Sequence, residues 1–465
     1  MSAPFLKGAL FMLNLSNKSI AELIDPKGFD CECGKHHAVN IRYIKTGIGV
    51  IDCVPEMLQA LGAKKPFVLC DQSTWKAAGE KVCGILERAN IPYVLHILPV
   101  DKPAPDEWAL GNAIMRLDMS CDLILGVGSG VINDLCKEIA YKSGKVNAIV
   151  GTAPSMDGFA SATSSMERDH VKVSLNNQCP QGILLDAEIL AQAPMRMLWA
   201  GFGDMVAKYV AICEWRITNL ITGEYYCEAV AELTRAALRK IMANADKLVQ
   251  RDPEAVLAVA DGLVLAGLSM AFAGCSRPAS GLEHYFSHMW EMRALDRGQP
   301  YDLHGILVGV GTVLTMRLYK WIRTLRPDPE KMQAHAAAYS YEAWEKQVRR
   351  IFGKAADEII RIENRERKND PERLQKRIAN IQQHWDEILG IIDEELPDYD
   401  GLYAAMKATG MPVEPSDLDN ISTDDVITAY LGARDIRDKY LSCSLLWDMG
   451  LEMEAAACLR ASLEG

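Results

Sequence analysis

The apolar and polar positions of this 465-residue chain fall into two regimes. In the first, short apolar runs are separated by stretches with helical spacing. Lys65–Cys70 (KPFVLC), Pro92–Pro99 (PYVLHILP), Asp122–Val127 (DLILGV) and Ala148–Gly151 read as buried strands, with helices over Thr74–Ala89, Asp106–Met119 and Val131–Ser143. Strands apolar on both faces, alternating with helices, predict a parallel sheet covered on both sides, with Ala148–Gly151 closing the series. From about Met195 the regime changes. Ala207–Thr222, Tyr225–Val249, Pro253–Gly274 and Gly305–Thr324 carry apolar residues three and four apart, and no further strand is predicted. Asp357–Glu395, dense in both signs of charge, reads as a solvated helix pair joined near Asn369-Asp370-Pro371. The expected architecture is an α/β domain over residues 1–190 followed by an all-helical domain over 191–465.

Composition narrows the classes. With 49% hydrophobic and 24% charged residues the chain has the balance of a globular enzyme. A net charge of −12 argues against a basic nucleic-acid surface. No apolar run approaches the roughly 20 residues of a membrane span. The opening MSAPFLKGALFMLNLSNKSI lacks a charged n-region and a small-residue cleavage site, so no signal peptide is expected. Thirteen scattered cysteines, an odd number, fit reduced cytoplasmic thiols better than a disulfide framework.

Four stretches can carry chemistry. Gly126-Val-Gly-Ser-Gly130 lies between a strand and a helix, where glycines let backbone approach a pyrophosphate at a helix N-terminus. The spacing is not that of the dinucleotide fingerprint, so a structural turn is the competing reading. Lys137, one turn into that helix, reaches a phosphate or solvent; Asp71 follows an early strand as a ribose acceptor or an ordinary turn aspartate. Gly151–Ser165 offers short hydroxyl donors, or is a polar loop. Three of the nine histidines, His284, His288 and His304, fall within one short stretch, and AGFGDMVAKY places Asp204 after a glycine-rich turn near the start of a helical pattern. Imidazoles with one carboxylate suit a borderline divalent metal, and three ligands on separate elements leave a coordination position open for catalysis. The plainer readings are a core or solvent histidine pair, a helix-end His304 and a helix-capping Asp204. In Asp30–His37 the Cys31-x-Cys33 pair with nearby histidines lacks a second Cys/His pair at finger spacing. A reduced turn between two early strands is the preferred reading there.

GVGSGVINDLCK, GTAPSMDGFAS, AGFGDMVAKY, SRPASGLEHYFSHMWEM and LHGILVGVGT, in this order, resemble the metal-dependent superfamily of glycerol dehydrogenase, iron-type alcohol dehydrogenases and dehydroquinate synthase. Within it, SRPASG-x-EH with TAPSMDG is most similar to the sn-glycerol-1-phosphate dehydrogenases, particularly their bacterial branch. The resemblance runs from about Ile44 to Tyr319, and more loosely over Ala433–Tyr440. It implies a Rossmann-like, dehydroquinate synthase-like α/β domain ahead of the helices. Asp204, His284 and His304 are then the ligands of one divalent metal (zinc, nickel or iron), and His288 lines the substrate pocket. Gly126, Gly128, Ser129 and Gly130 hold the pyrophosphate of NAD or NADP, Thr152 and Ser155 lie along the nicotinamide, and Asp134 and Lys137 match the helix after the glycine turn. Asp157 contacts polyol hydroxyls, and Arg277 and Lys208 are the candidates for a substrate-phosphate anchor. Asp71 leans towards NAD.

Two departures stand out: Ser129 replaces a glycine common in related dehydrogenases, and the helical region after Asp328 is longer than the family core requires. The implied reaction is reversible reduction of dihydroxyacetone phosphate to sn-glycerol 1-phosphate by a cytoplasmic homodimer or higher homo-oligomer. The alternatives are a dehydrogenase of an unphosphorylated polyol and a dehydroquinate synthase-like lyase.

Overall fold

The computed structural model describes residues 15–168 and 171–464; residues 1–14, most of the segment read for a leader, lie outside them. The strands are β1 (Phe29–Asp30), β2 (His36–His37), β3 (Tyr43–Gly47), β4 (Pro66–Asp71), β5 (Val94–Leu98), β6 (Leu123–Gly128), β7 (Val146–Gly151), β8 (Thr163–Arg168), β9 (Val171–Asn176) and β10 (Gly182–Asp186). Six of them form one parallel sheet in the order β3-β10-β7-β6-β4-β5. β4 and β6 are buried along their whole length, which is why they read as unbroken apolar runs; β10 is equally buried.

The series does not close at Gly151. An antiparallel β8–β9 hairpin follows, and β10 then inserts between β3 and β7. β3 is only half-buried at every position, and β10 is held between partners distant in sequence, so neither announces itself locally. After β10 the described residues form helices, among them Met195–Val206, Lys208–Thr222, Glu228–Met242, Pro253–Ala273, Leu282–Arg297 and His304–Ile322. The charged region is three helices rather than a pair: Ala356–Glu366, Pro371–Gln383 and Trp385–Glu395, with Asp370 capping the second.

Two helices exceed the expected apolar length. Pro253–Ala273 has mean hydropathy 2.0 and His304–Ile322 has 1.2, enough by length and composition for a membrane span. Their apolar windows are 72% and 83% buried inside the protein, as core helices require.

Two physical features place the site. Chain order reverses between β4 and β6, so a crevice opens at their carboxyl ends, where open α/β sheets bind ligands. Opposite it, glycines bring three helices into close contact. A Cβ on Gly305 would collide with the Ala200 carbonyl, one on Gly203 with the Gly305 carbonyl, and one on Gly311 with the Glu283 carbonyl. The GFGD and HGILVGVG strings therefore serve close helix packing. Asp204 sits in the last turn of Met195–Val206, with no turn or cap of its own, because those glycines pack a neighbouring helix instead of breaking this one.

Candidate active site

A cavity of about 1830 Å³ separates the sheet ends from the helices. Asp71, Ser129, Gly130 and Thr152 line one wall, and His284, His288 and His304 line the other.

On the helical wall, Asp204 is fully buried, and its Oδ1 lies 3.4 Å from His284 Nε2. Two ligands about 2.1 Å from one tetrahedral ion stand about 3.4 Å apart, so this pair fits a shared divalent cation. His304 begins its helix, and its ring centroid is 5.4 Å from that of His284. Each histidine is held through Nδ1 by a buried carboxylate: His284 by Glu283 Oε1 at 2.8 Å and His304 by Glu291 Oε1 at 2.9 Å. A carboxylate on Nδ1 fixes the tautomer and leaves the Nε2 lone pair for a metal. The Asp204–His284 pair therefore fits the implied ion, with His304 on the same wall as the third candidate ligand. Burial opposes ionisation of Asp204, yet Lys208 and His284 hold its carboxyl far below the usual range.

His288 also lines the cavity, with Nδ1 3.5 Å from Glu291 Oε2. Burial brings its pKa down to about 3, so it is a neutral imidazole. Glu283 and Glu291 are the functional residues that sequence reasoning missed. The signal was present: 284, 288 and 291 follow the i, i+4, i+7 rule for one helix face.

Several expected roles need correction. Lys208 is fully buried and bridges Asp157 Oδ2 and Asp204 Oδ1, each at 2.7 Å; it organises the two acids and has no face on the cavity. Arg277 is buried away from the cavity, clamped by Glu224 at 2.6 Å and the Tyr440 carbonyl at 2.8 Å. A guanidinium so committed is not a phosphate anchor. Lys137 pairs with Asp134 at 2.8 Å and donates to the carbonyls of Gly158 and Thr163. It pins the hydroxyl-rich segment rather than meeting a phosphate.

Gly126 and Gly128 belong to β6 and lie behind the cavity wall. A Cβ there would strike Ile149 and Ile132, so these two glycines admit the packed side chains rather than a pyrophosphate.

The remaining residues do meet the cavity. Ser129 Oγ and Ser155 Oγ are 2.6 Å apart, and Gly130 opens the following helix. Asp134 and Asp157 line it as well, and the Asp157 amide donates to Asp204 Oδ2 at 2.9 Å. Asp71 caps a helical turn, its Oδ1 accepting from the Thr74 amide at 2.8 Å, while it also faces the cavity. The capping reading of Asp71 is thus observed, and its place on the cavity keeps the ribose reading as a proposal.

Cationic groups reach the cavity from elsewhere. Arg437, Lys439 and Lys172 line it; Arg437 lies near His288, and Lys172 pairs with Glu291. Lys439 Nζ donates to the carbonyls of Ser276 at 3.1 Å and Ser280 at 2.8 Å. Burial and the nearby Arg277 pull its pKa down to about 7.

A cleft at a sheet switch point, facing a carboxylate–histidine cluster, is the arrangement of a metal-binding enzyme that seats a second ligand at the sheet ends. Residues 45–194 match the family model described as iron-containing alcohol dehydrogenase. A glycerol-1-phosphate dehydrogenase, NAD(P)+ type, from Halalkalibacterium halodurans is 35% identical over 295 residues, 63% of this chain and 74% of the relative. Its namesake from Hyperthermus butylicus is 33% identical over 59% of this chain and 77% of the relative. In fold, the chain is similar to glycerol dehydrogenase from Schizosaccharomyces pombe, with a TM-score of 0.59, 15% identity and 91% of each chain covered. A 1,3-propanediol oxidoreductase has the same TM-score at 17% identity, covering 91% of this chain and 98% of that one. The chain belongs to the glycerol-1-phosphate dehydrogenase family, whose members are oxidoreductases.

Proposed function

We propose that this chain reversibly reduces dihydroxyacetone phosphate to sn-glycerol 1-phosphate with NADH or NADPH, at a divalent metal held by Asp204, His284 and His304. The observation that carries this reading is the 3.4 Å approach of Asp204 to His284, beside His304, with both histidines backed by buried carboxylates. When bound, a divalent ion there supplies Lewis-acid polarisation of the C2 carbonyl, and the reduced nicotinamide supplies the hydride.

The protein's own groups do the rest. Glu283 and Glu291, bound to Nδ1, leave the Nε2 lone pairs of His284 and His304 free for the ion. Lys208 holds Asp204 ionised and fixes Asp157, whose remaining oxygen accepts from a substrate hydroxyl. Ser129, Gly130, Thr152 and Ser155 seat the cofactor at the sheet ends, with Asp71 beside the ribose, and this positioning removes much of the entropic barrier. His288, kept neutral, offers Nε2 to the water that carries a proton to the new alcohol oxygen. Arg437 and Lys439 replace Arg277 and Lys208 as the phosphate anchor, because they line the cavity and, unlike the cavity-lining Lys172, are not paired with a buried carboxylate of the site.

The functional units divide near residue 190, with the cofactor on the 1–190 side and the metal on the 191–465 side. A cytoplasmic homodimer is the proposed working form, checked by sedimentation and fractionation. Reaction of the metal-reconstituted protein with dihydroxyacetone phosphate and with dihydroxyacetone, followed by chiral analysis, tests the whole reading. Preference for the phosphorylated ketone with an sn-1 product supports it; turnover of the free ketone alone makes this a polyol dehydrogenase.

A further inference from the structure

A second cluster of metal-ligating side chains lies apart from the cleft histidines. Cys31, Cys33, His37 and Cys227 place one ligand atom each within 4.8 Å of all the others. Cys31 Sγ is 3.6 Å from Cys227 Sγ, and His37 Nε2 is 3.3 Å from Cys33 Sγ and 3.6 Å from Cys227 Sγ. Sulfurs about 2.3 Å from a tetrahedral zinc stand about 3.8 Å apart, and a sulfur and an imidazole nitrogen about 3.6 Å. Three of the six ligand-to-ligand distances already lie within about 0.3 Å of that spacing, and the other three are within 4.8 Å.

The surroundings match a thiolate site. His37 Nδ1 donates to the Phe272 carbonyl at 2.8 Å, which turns an unprotonated Nε2 towards the sulfurs. The Tyr225 hydroxyl lies 3.3 Å from Cys33 Sγ, placed to donate to a thiolate. Lys35 Nζ sits 3.5 Å over the Tyr225 ring and bonds the Ala273 carbonyl at 3.0 Å. Three thiolates on one zinc leave a charge of −1, and this ammonium is its near counter-charge. The turn that carries Cys31 and Cys33 closes through Gly34, at φ +83°, where a left-handed residue is needed. A reduced turn was preferred from sequence because the third thiol arrives from 190 residues beyond His37.

We propose that Cys31, Cys33, His37 and Cys227 form a structural zinc site. Its four protein ligands leave no open position, so it does no chemistry. It fastens the β1–β2 hairpin to the end of the Pro253–Ala273 helix and, through Cys227, to the start of Glu228–Met242. Ala38, Val39 and Asn40, directly after His37, line the active-site cavity, as do Met270 and Gly274. The ion therefore braces one rim of the cleft. This inference does not depend on the reaction proposed above.

The test uses the full chain carrying His284→Ala, which disables the cleft metal set, loaded with zinc or cobalt(II). Elemental analysis should find one zinc per chain, lost in a further Cys31→Ser/Cys227→Ser variant. The cobalt form should show intense thiolate-to-cobalt charge transfer and tetrahedral d–d bands. These are read on chains with an intact thiol set, so a misfolded cysteine variant does not blur the result. Zinc should also protect Cys31, Cys33 and Cys227, but not the exposed Cys275, from alkylation. A zinc-free His284→Ala chain, a cobalt spectrum without thiolate bands, or a Cys31–Cys227 disulfide in the intact mass would each overturn the proposal.

Discussion

The two clusters differ in ligand chemistry and in what surrounds it. In the cleft, two imidazoles face a cavity of about 1830 Å³, a fully buried carboxylate meets one of them behind the cavity wall, and the set is steadied by Glu283, Glu291, Lys208 and Asp157. At the hairpin, three thiols and one imidazole face each other and are steadied by a backbone carbonyl, a phenol and a lysine. An incomplete oxygen–nitrogen set leaves room for substrate; a complete sulfur-rich set leaves none. The comparison separates chemistry from architecture within one chain.

The sharpest break is Asp204→Asn. It removes an anionic ligand and half of the counter-charge of a fully buried lysine. Turnover should fall at least about a thousandfold, since several kcal/mol of charge stabilisation are lost. Stability should fall by about 3 kcal/mol in denaturant titration. Equal turnover would remove Asp204 from the metal set.

Next is Glu291→Gln, which keeps the shape but weakens the hold on His304 Nδ1. Metal affinity, read by competition with a chelator, should drop about 10–100-fold while the hairpin ion stays bound.

A pH effect tests the phosphate anchor. Lys439 has a depressed pKa of about 7, so in the free enzyme it loses its proton above that value. A bound phosphate favours the charged form. Binding then takes up a proton, and affinity falls as pH rises from about 7, by up to about tenfold per unit. Lys439→Met should raise KM for dihydroxyacetone phosphate at pH 6.5 and flatten the rise above pH 7; an unchanged slope would exclude this lysine.

Cys227→Ser belongs to the other cluster. It should lower the melting temperature by several degrees, with turnover at low temperature within about twofold of the parent. The smallest effect is expected from Arg277→Met: about 1–2 kcal/mol of stability, from the half-exposed Glu224 pair, with KM for dihydroxyacetone phosphate unchanged. A KM increase of tenfold or more would restore Arg277 as the anchor.

Legibility from sequence followed physical range. The strands Pro66–Asp71, Leu123–Gly128 and Val146–Gly151 were readable because burial on both faces writes itself as an apolar run, and the edge strand Val94–Leu98 because four of its five residues are apolar. Gly182–Asp186 was not, because its inclusion depends on two partners distant in sequence, β3 and β7. The glycines of AGFGD read locally as a turn, but their causes are carbonyls distant in sequence, that of Pro154 for Gly201 and that of Gly305 for Gly203. Asp204, His284 and His304 were singled out by residue type and resemblance, and the fold brings them together. Arg277 and Lys208 were singled out by position beside the motifs, which does not say where a long side chain points. Cys227 carried no local sign at all, because its partners come from a hairpin at the other end of the α/β unit.

The most direct test of the central claim is to measure metal content and dihydroxyacetone phosphate turnover together in His284→Ala, against the parent chain reconstituted in the same way. The account predicts loss of the cleft metal and of turnover, with NADH binding at the sheet ends retained. A variant that keeps both its full metal content and its turnover would contradict it.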